Sequence, residues 1–275
     1  TACYAAKNKG RNRVQVYHPD DVGIYQQTED VQWLSRITEA LDEEQFQLYY
    51  QTIEAAVPDS IDTHLCEILL RLPNTRTGEI APPMAFLPTA ERYNLMPRVD
   101  QWVVKNMFNY LASQTPVPKT IYSINLSGSS INDESFISFL EEQLQQYPVN
   151  PEILCFEITE TLAIANLQKA ADLILKLKKI GCHFALDDFG SGMSSFNYLK
   201  HLPVDYLKID GNFVKEAPTD DVLCAMLQSI NRIGHIMGLK TIAEYVENLA
   251  VLEKVQALGI DYAQGYAISY PQPLL

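Results

Sequence analysis

His183-Phe184-Ala185-Leu186-Asp187-Asp188-Phe189-Gly190-Ser191-Gly192 is an apolar run that ends in two adjacent aspartates and a glycine turn. Its first half has the composition of a buried strand. Two neighbouring carboxylates at the end of such a strand repel each other, and without a cation one of them holds its proton. The glycines permit a tight loop over a site. A solvated acidic turn is the plain alternative for this segment taken alone.

Six further apolar runs repeat the pattern, each with its own polar group. They are His64–Leu72 with Glu67, Thr120–Ser127 with Asn125, Ile153–Thr159 with Glu157, Tyr206–Asp210 with Lys208, Lys240–Val246 with Glu244, and Ile260–Ala267 with Gln264. Phe46–Ile53 makes an eighth strand. Helical patterns fall between them, at Val99–Leu111, Glu134–Gln146, Leu162–Lys179, Asp220–Met237 and Asn248–Leu258, after an opening helix at Asp30–Leu41. Asn132 and Asp133 precede the second of these as caps, and Gly181, Gly238 and Gly259 follow the last three as stops. Eight strands alternating with helices predict an α/β fold, a TIM-like (β/α)8 barrel, which builds its site from strand ends. Five of the strand-end groups are carboxylates, too many to converge without cations. The pattern therefore points to metal-assisted chemistry on an anionic substrate.

Composition narrows the class. The 275 residues fit one barrel of about 250 residues with a short extension. A net charge of −13 argues against wrapping a nucleic acid polymer. No stretch has the roughly 18 apolar residues of a membrane span, and the opening residues are not expected to be a signal peptide. Five cysteines without a C-x-x-C pair are expected to be reduced, in a cytoplasmic setting. Histidines at metal-ligand spacing, a G-x-S-x-G elbow and nucleotide-binding glycine loops are all missing from the sequence, which excludes a histidine-built zinc hydrolase, covalent serine catalysis and a P-loop.

Individual residues add chemistry. Glu67, Leu69 and Arg71 alternate, so they share one face of their strand. A metal ligand beside a phosphate contact, or a plain Glu–Arg pair, satisfies that arrangement. Asn125 offers a neutral oxygen ligand or a turn cap. Glu160 falls at a helix start, where an acid suits the dipole. Lys208, in a run otherwise buried, can orient water and stabilise phosphoryl charge, or pair with Asp210. Glu244, Glu247 and Gln264 are weak signals singly and a strong one jointly.

At these residues the chain resembles the EAL-domain family, the cyclic di-GMP phosphodiesterases of bacterial second-messenger signalling. The match runs from about Trp33 to Pro273. It rests on Glu67-Ile68-Leu69-Leu70-Arg71, Phe86-Leu87-Pro88-Thr89-Ala90-Glu91, Asn125-Leu126-Ser127 and Glu157-Ile158-Thr159-Glu160. It continues through Asp187-Asp188-Phe189-Gly190-Ser191-Gly192, Leu207-Lys208-Ile209-Asp210, Ala243-Glu244-Tyr245-Val246-Glu247 and Gln264-Gly265-Tyr266. Residues 1–17, with Ala5-Ala6-Lys7-Asn8-Lys9-Gly10-Arg11-Asn12, resemble the closing helix and strand of a GGDEF domain, followed by a linker at 18–29 and the EAL barrel at 30–275.

The resemblance implies one antiparallel barrel strand, Phe46–Ile53, and metal-dependent hydrolysis of cyclic di-GMP to linear pGpG. It implies two divalent cations, Mg²⁺ or Mn²⁺. Glu67, Asn125, Glu157 and Asp187 would hold one, and Asp187 and Asp188 the other, with Glu244 as ligand or water partner. Lys208 would orient the attacking water. Gln51, Leu69, Arg71, Asp210, Glu247 and Gln264 would lie on the substrate side, and Glu160 would steady the Asp188–Leu202 loop. Upstream GGDEF-like and sensory domains, a homodimer, and a parent protein that can be membrane-anchored complete the expectation, with no membrane contact by these residues. Three positions depart from the usual family residue: Ile68 for Ala, Thr52 for Pro, and Tyr245 for Gly. A silent cyclic di-GMP receptor, and a barrel glycosidase using paired carboxylates, are the alternatives.

Overall fold

The apolar runs fold as strands and the amphipathic runs as helices, in a computed structural model that describes residues 22–58, 63–74, 77–114, 119–191 and 196–274. The expected GGDEF-like remnant at 1–17, the start of the linker, Cys3 and Gly192 lie outside those residues. Strands are β1 (Gln47–Ala55), β2 (Leu65–Pro73), β3 (Ile80–Ala81), β4 (Ile121–Asn125), β5 (Leu154–Thr159), β6 (His183–Phe189), β7 (Tyr206–Ile209), β8 (Lys240–Ala243), β9 (Tyr262–Ala263) and β10 (Gln272–Pro273). Helices are α1 (Val22–Asp42), α2 (Pro83–Arg92), α3 (Met96–Ser113), α4 (Gly128–Ile131), α5 (Glu134–Gln146), α6 (Glu160–Ala165), α7 (Leu167–Ile180), α8 (Gly211–Glu216), α9 (Asp221–Ile236) and α10 (Leu249–Ala257).

The strands hydrogen-bond in the order β1-β9-β8-β7-β6-β5-β4-β2, and β1 also pairs with β2, so eight strands close into a ring. The pairs from β2 through β9 are parallel, while β1 runs antiparallel to β9 through Glu54–Ala263 and Ala55–Tyr262. The TIM-like barrel with one antiparallel strand is thus borne out. β3 and β10 lie outside the ring.

Two of the expected helices differ from the sequence reading. The helix expected to open near Asp30 begins at Val22, inside the segment read as linker. The helix expected over Leu162–Lys179 is two helices, broken at Asn166, whose φ of −142° and ψ of 55° are not helical. The Gly181 stop does hold, with φ of +110°.

By packing, the chain divides into two units, Thr1–Gln47 with Leu70–Arg98, and Leu48–Leu69 with Val99–Leu275. In the first, Phe86 of α2 meets Trp33 of α1 at 6.2 Å and Phe46 at 5.8 Å, and Arg92 pairs with Asp30. In the second, one residue from each ring strand enters a buried cluster: Ile53, Leu65, Ile121, Cys155, Ala185, Tyr206, Ile242 and Tyr262. This is an apolar plug, which makes the ring a packed core rather than a pore. Cys66, Cys155 and Cys182 are buried free thiols and Cys224 is a half-buried one, as expected of the four described cysteines. Among the described residues no helix is long and apolar enough to cross a membrane.

Candidate active site

Side chains two residues apart in a strand share a face. Two residues beyond each plug residue, in the direction of the parallel strands, stands a buried polar one: Glu67, Ser123, Glu157, Asp187, Lys208, Glu244 and Gln264. In β1, which runs the other way, the equivalent is Gln51, two residues before Ile53. The ring therefore stacks an eight-residue polar layer directly on its plug.

At the centre is Lys208, fully buried. Its ammonium lies 2.9 Å from Glu157 Oε2, 3.0 Å from Glu244 Oε1, 3.1 Å from Asp187 Oδ1 and 3.2 Å from Glu67 Oε2. Four carboxylates against one ammonium leave an excess of three negative charges if all are ionised. Amide and hydroxyl donors surround the acids. Asn125 Nδ2 donates to Glu67 Oε1 at 2.7 Å, Gln264 Nε2 donates to Glu67 Oε2 at 2.7 Å and to Gln51 Oε1 at 3.2 Å, and Ser123 Oγ donates to Glu157 Oε1.

The titration of these groups follows from burial and charge. Burial works to raise Glu67, but Lys208 and the hydrogen bonds from Gln264 and Asn125 outweigh it and hold its carboxyl below the usual range. Burial pushes Glu157 up to about 8, with Glu67 and Asp187 adding to the rise against the pull of Lys208. Glu244 is raised well above the usual range by burial and by Asp187 and Glu67. Asp188 is pushed up to about 6 by burial and then by the charges of Asp187 and Asp210. For Lys208 burial favours the neutral amine, yet the four surrounding acids raise it well above an ordinary lysine. Burial and mutual repulsion thus favour proton uptake by Glu157, Glu244 and Asp188, and a bound cation would compete for the same oxygens.

Adjacent residues in a regular strand point to opposite faces, so Asp187 and Asp188 would normally diverge. Here the β6–β7 register shifts between Leu186 and Phe189, and Asp188 takes a left-handed backbone with φ of +55°. This bulge re-aims the second carboxylate. Oxygens of Asp187, Asp188 and Glu244 consequently lie within 4.8 Å of one another. Asp187 Oδ1 is buried and has no hydrogen bond, its contact with Lys208 being an ion pair only. Carboxylate and amide oxygens are the donors Mg²⁺ and Mn²⁺ take, so the residues fit a divalent-cation centre.

The remaining expected residues surround this layer or stand apart from it. Glu160, buried at the start of α6, accepts from Gly190 N at 2.7 Å and from Tyr198 Oη, residues that flank the loop after β6. Asp210 caps α8 by accepting from Asn212 N at 2.8 Å. Glu247 is exposed and pairs with Lys215 at 3.3 Å. Leu69 is half-buried on β2. Arg71 belongs to the smaller unit, where its Nη1 donates to the Leu70 carbonyl at 2.9 Å. Gln51 Nε2 donates to the Ser269 carbonyl at 2.9 Å. Gly265 follows Gln264 because a Cβ there would come within 2.3 Å of the Val246 backbone.

The profile of the EAL domain matches residues 34–271. The chain belongs to the EAL-domain family. Among its relatives is a protein of Shewanella oneidensis named cyclic di-GMP phosphodiesterase PdeB, 41% identical over 274 residues, which are 99% of this chain and 32% of the relative. Cyclic di-GMP phosphodiesterase PdeF of Escherichia coli is 34% identical over 246 residues, or 89% of this chain and 32% of that protein. The chain thus spans about a third of the length of these relatives. Among solved structures, the FimX EAL domain of Pseudomonas aeruginosa bound to c-di-GMP aligns with a TM-score of 0.81 at 31% identity, covering 87% of this chain and 96% of that one. The PaMucR phosphodiesterase in complex with c-di-GMP aligns at 0.79 and 30%, covering 88% and 98%.

Within this EAL domain the structure brings Gln51, Glu67, Asn125, Glu157, Asp187, Asp188, Lys208, Glu244 and Gln264 close to one another. Ser123 was not anticipated. A serine in an apolar strand looks unremarkable, and only its place two residues before Asn125 marks it as inward-facing.

Proposed function

We propose that this EAL domain hydrolyses cyclic di-GMP to linear pGpG with two divalent cations, Mg²⁺ or Mn²⁺. The observation that carries the reading is the layer of four buried carboxylates converging on Lys208, with the Asp187–Asp188–Glu244 oxygens beside it. The names of the relatives supply the substrate.

In this reading Glu67, Asn125, Glu157 and Asp187 would hold one cation, and Asp187 and Asp188 would hold the second with Glu244 as ligand or water partner. Divalent cations held there would supply acidification of a bound water and charge compensation for the phosphoryl group. Lys208 orients that water, its position set by the four acids that pin its ammonium. Gln51, Leu69, Arg71, Asp210, Glu247 and Gln264 serve the substrate, and Glu160 ties the two flanks of the loop after β6. The Gln264 Oε1 atom, buried without a hydrogen bond, is a ready acceptor for a substrate N–H. A GGDEF-like neighbour upstream and a homodimer fit the same reading, as does a cytoplasmic location.

The test is turnover followed by chromatography, with Mn²⁺ or Mg²⁺ and again with EDTA. Production of pGpG only with metal is expected. Tight binding without product under either cation favours the receptor alternative instead.

A further inference from the structure

Two non-glycine residues of the larger unit have a left-handed backbone among the described residues, and both touch the acid triplet in sequence. Asp188 belongs to it, and Tyr245, with φ of +52°, directly follows Glu244. A ring-bearing residue rarely adopts this conformation, and where one does the surroundings must hold it there.

The surroundings of Tyr245 do so. Its ring beds on Gly211 at the start of α8, so closely that a Cβ on Gly211 would lie 2.4 Å from Tyr245 Cδ2. One helical turn on, Lys215 Nζ lies 4.3 Å from the ring centroid. The same ammonium reaches Glu247 at 3.3 Å, in the segment that carries Tyr245. Both Gly211 and Lys215 of α8 therefore hold the ring, and the residue as a whole is still 54% exposed. A rigid aromatic face, open outward and one residue from a metal-ligand candidate, costs backbone strain without filling a core. Its geometry is that of a stacking platform.

We propose that Tyr245 stacks on a purine ring of the substrate at the mouth of the acid site and so sets its affinity. The inference rests on the reading of the domain as one that takes cyclic di-GMP. An aromatic face adds affinity for a base without touching the scissile phosphate, so it acts on KM more than on kcat.

The test compares wild type, Tyr245→Gly, Tyr245→Phe and Gly211→Ala in Mn²⁺-dependent pGpG formation, with a melting curve to check each fold. Tyr245→Gly should raise KM about five- to tenfold with a smaller change in kcat, the low end of what a lost base–aromatic stack costs. Tyr245→Phe keeps the ring and should restore the wild-type KM. Gly211→Ala leaves Tyr245 present but drives its ring off α8, and should raise KM independently. Unchanged KM in Tyr245→Gly and Gly211→Ala overturns the platform while leaving the hydrolase reading intact, as does a fall in kcat alone. If the wild type yields no pGpG, calorimetric binding of cyclic di-GMP with Ca²⁺ decides. Binding weakened by Tyr245→Gly supports the platform and removes only hydrolysis, whereas no binding by the wild type removes both.

Discussion

Two layers inside one ring obey the same alternation and have opposite effects. The plug of Ile53, Leu65, Ile121, Cys155, Ala185, Tyr206, Ile242 and Tyr262 removes apolar surface from water and holds the strands together. Two residues along the same strands, Gln51, Glu67, Ser123, Glu157, Asp187, Lys208, Glu244 and Gln264 bury polar and charged groups that each carry a desolvation penalty. Shared strands place the reactive layer with the precision of the packed one. The plug can be rebuilt with other hydrophobes of similar volume, while the polar layer has to keep its oxygens.

The largest test of that contrast is on activity. Glu67→Gln removes one ligand charge while keeping shape, and turnover should fall about 10³-fold or more while the urea midpoint stays or rises. A variant retaining a tenth of wild-type turnover would mean that the layer is not the reacting centre. Removing the central ammonium should cost stability as well. Lys208→Met leaves four buried carboxylates without their ion-pair partner, and EDTA-treated protein should lose about 3–5 kcal/mol by urea denaturation, partly regained with Mn²⁺. In the plug, Ile53→Ala should cost about 2–5 kcal/mol by the same assay, with no Mn²⁺ rescue beyond that of wild type.

Acidity sharpens the comparison further. Glu157 near 8 and Asp188 near 6 are raised carboxyls, so the EDTA-treated folded chain binds more protons than the unfolded one between about pH 4.5 and 8. Their contribution to stability is present below the unfolded value and is lost as pH rises through the folded ones. A cation needs the same groups deprotonated, so Mn²⁺ affinity should climb across that window. Melting temperatures with EDTA and with Mn²⁺ should therefore diverge as pH rises from 5.5 to 8.5, and parallel curves would count against these assignments. The smallest expected effect is at Ser123. Ser123→Ala frees Glu157 Oε1 from its hydroxyl and should shift the Mn²⁺ half-saturation about three- to tenfold, and Ser123→Thr, which restores a hydroxyl, should recover it.

The barrel was legible because both layers leave marks in sequence. Each of the eight expected strands is a ring strand, and each charged or amide group singled out at its end or interior proved easy to see against apolar neighbours. What escaped has local causes. α2 contains Pro88 and opens on Pro82 and Pro83, residues that argue against a helix unless Pro83 occupies the first turn, as it does here. The break at Asn166 interrupts an apolar periodicity that continues on both sides. The strands β3 and β10 are two residues long, too short for any period. Asp188 was placed in the site by its neighbour, but the bulge that turns it there has no sequence signature beyond the glycines that follow. Tyr245 was visible only as a departure from the family's usual Gly, and its left-handed backbone explains why Gly is at ease there.

The most direct test is to count Mn²⁺ ions bound by EDTA-stripped wild type at pH 8 using electron paramagnetic resonance, with melting followed in parallel. Two ions per chain and a raised melting temperature are predicted. No bound ion at millimolar Mn²⁺, with an unchanged melting temperature, would contradict the claim that the acid layer is built to hold divalent cations.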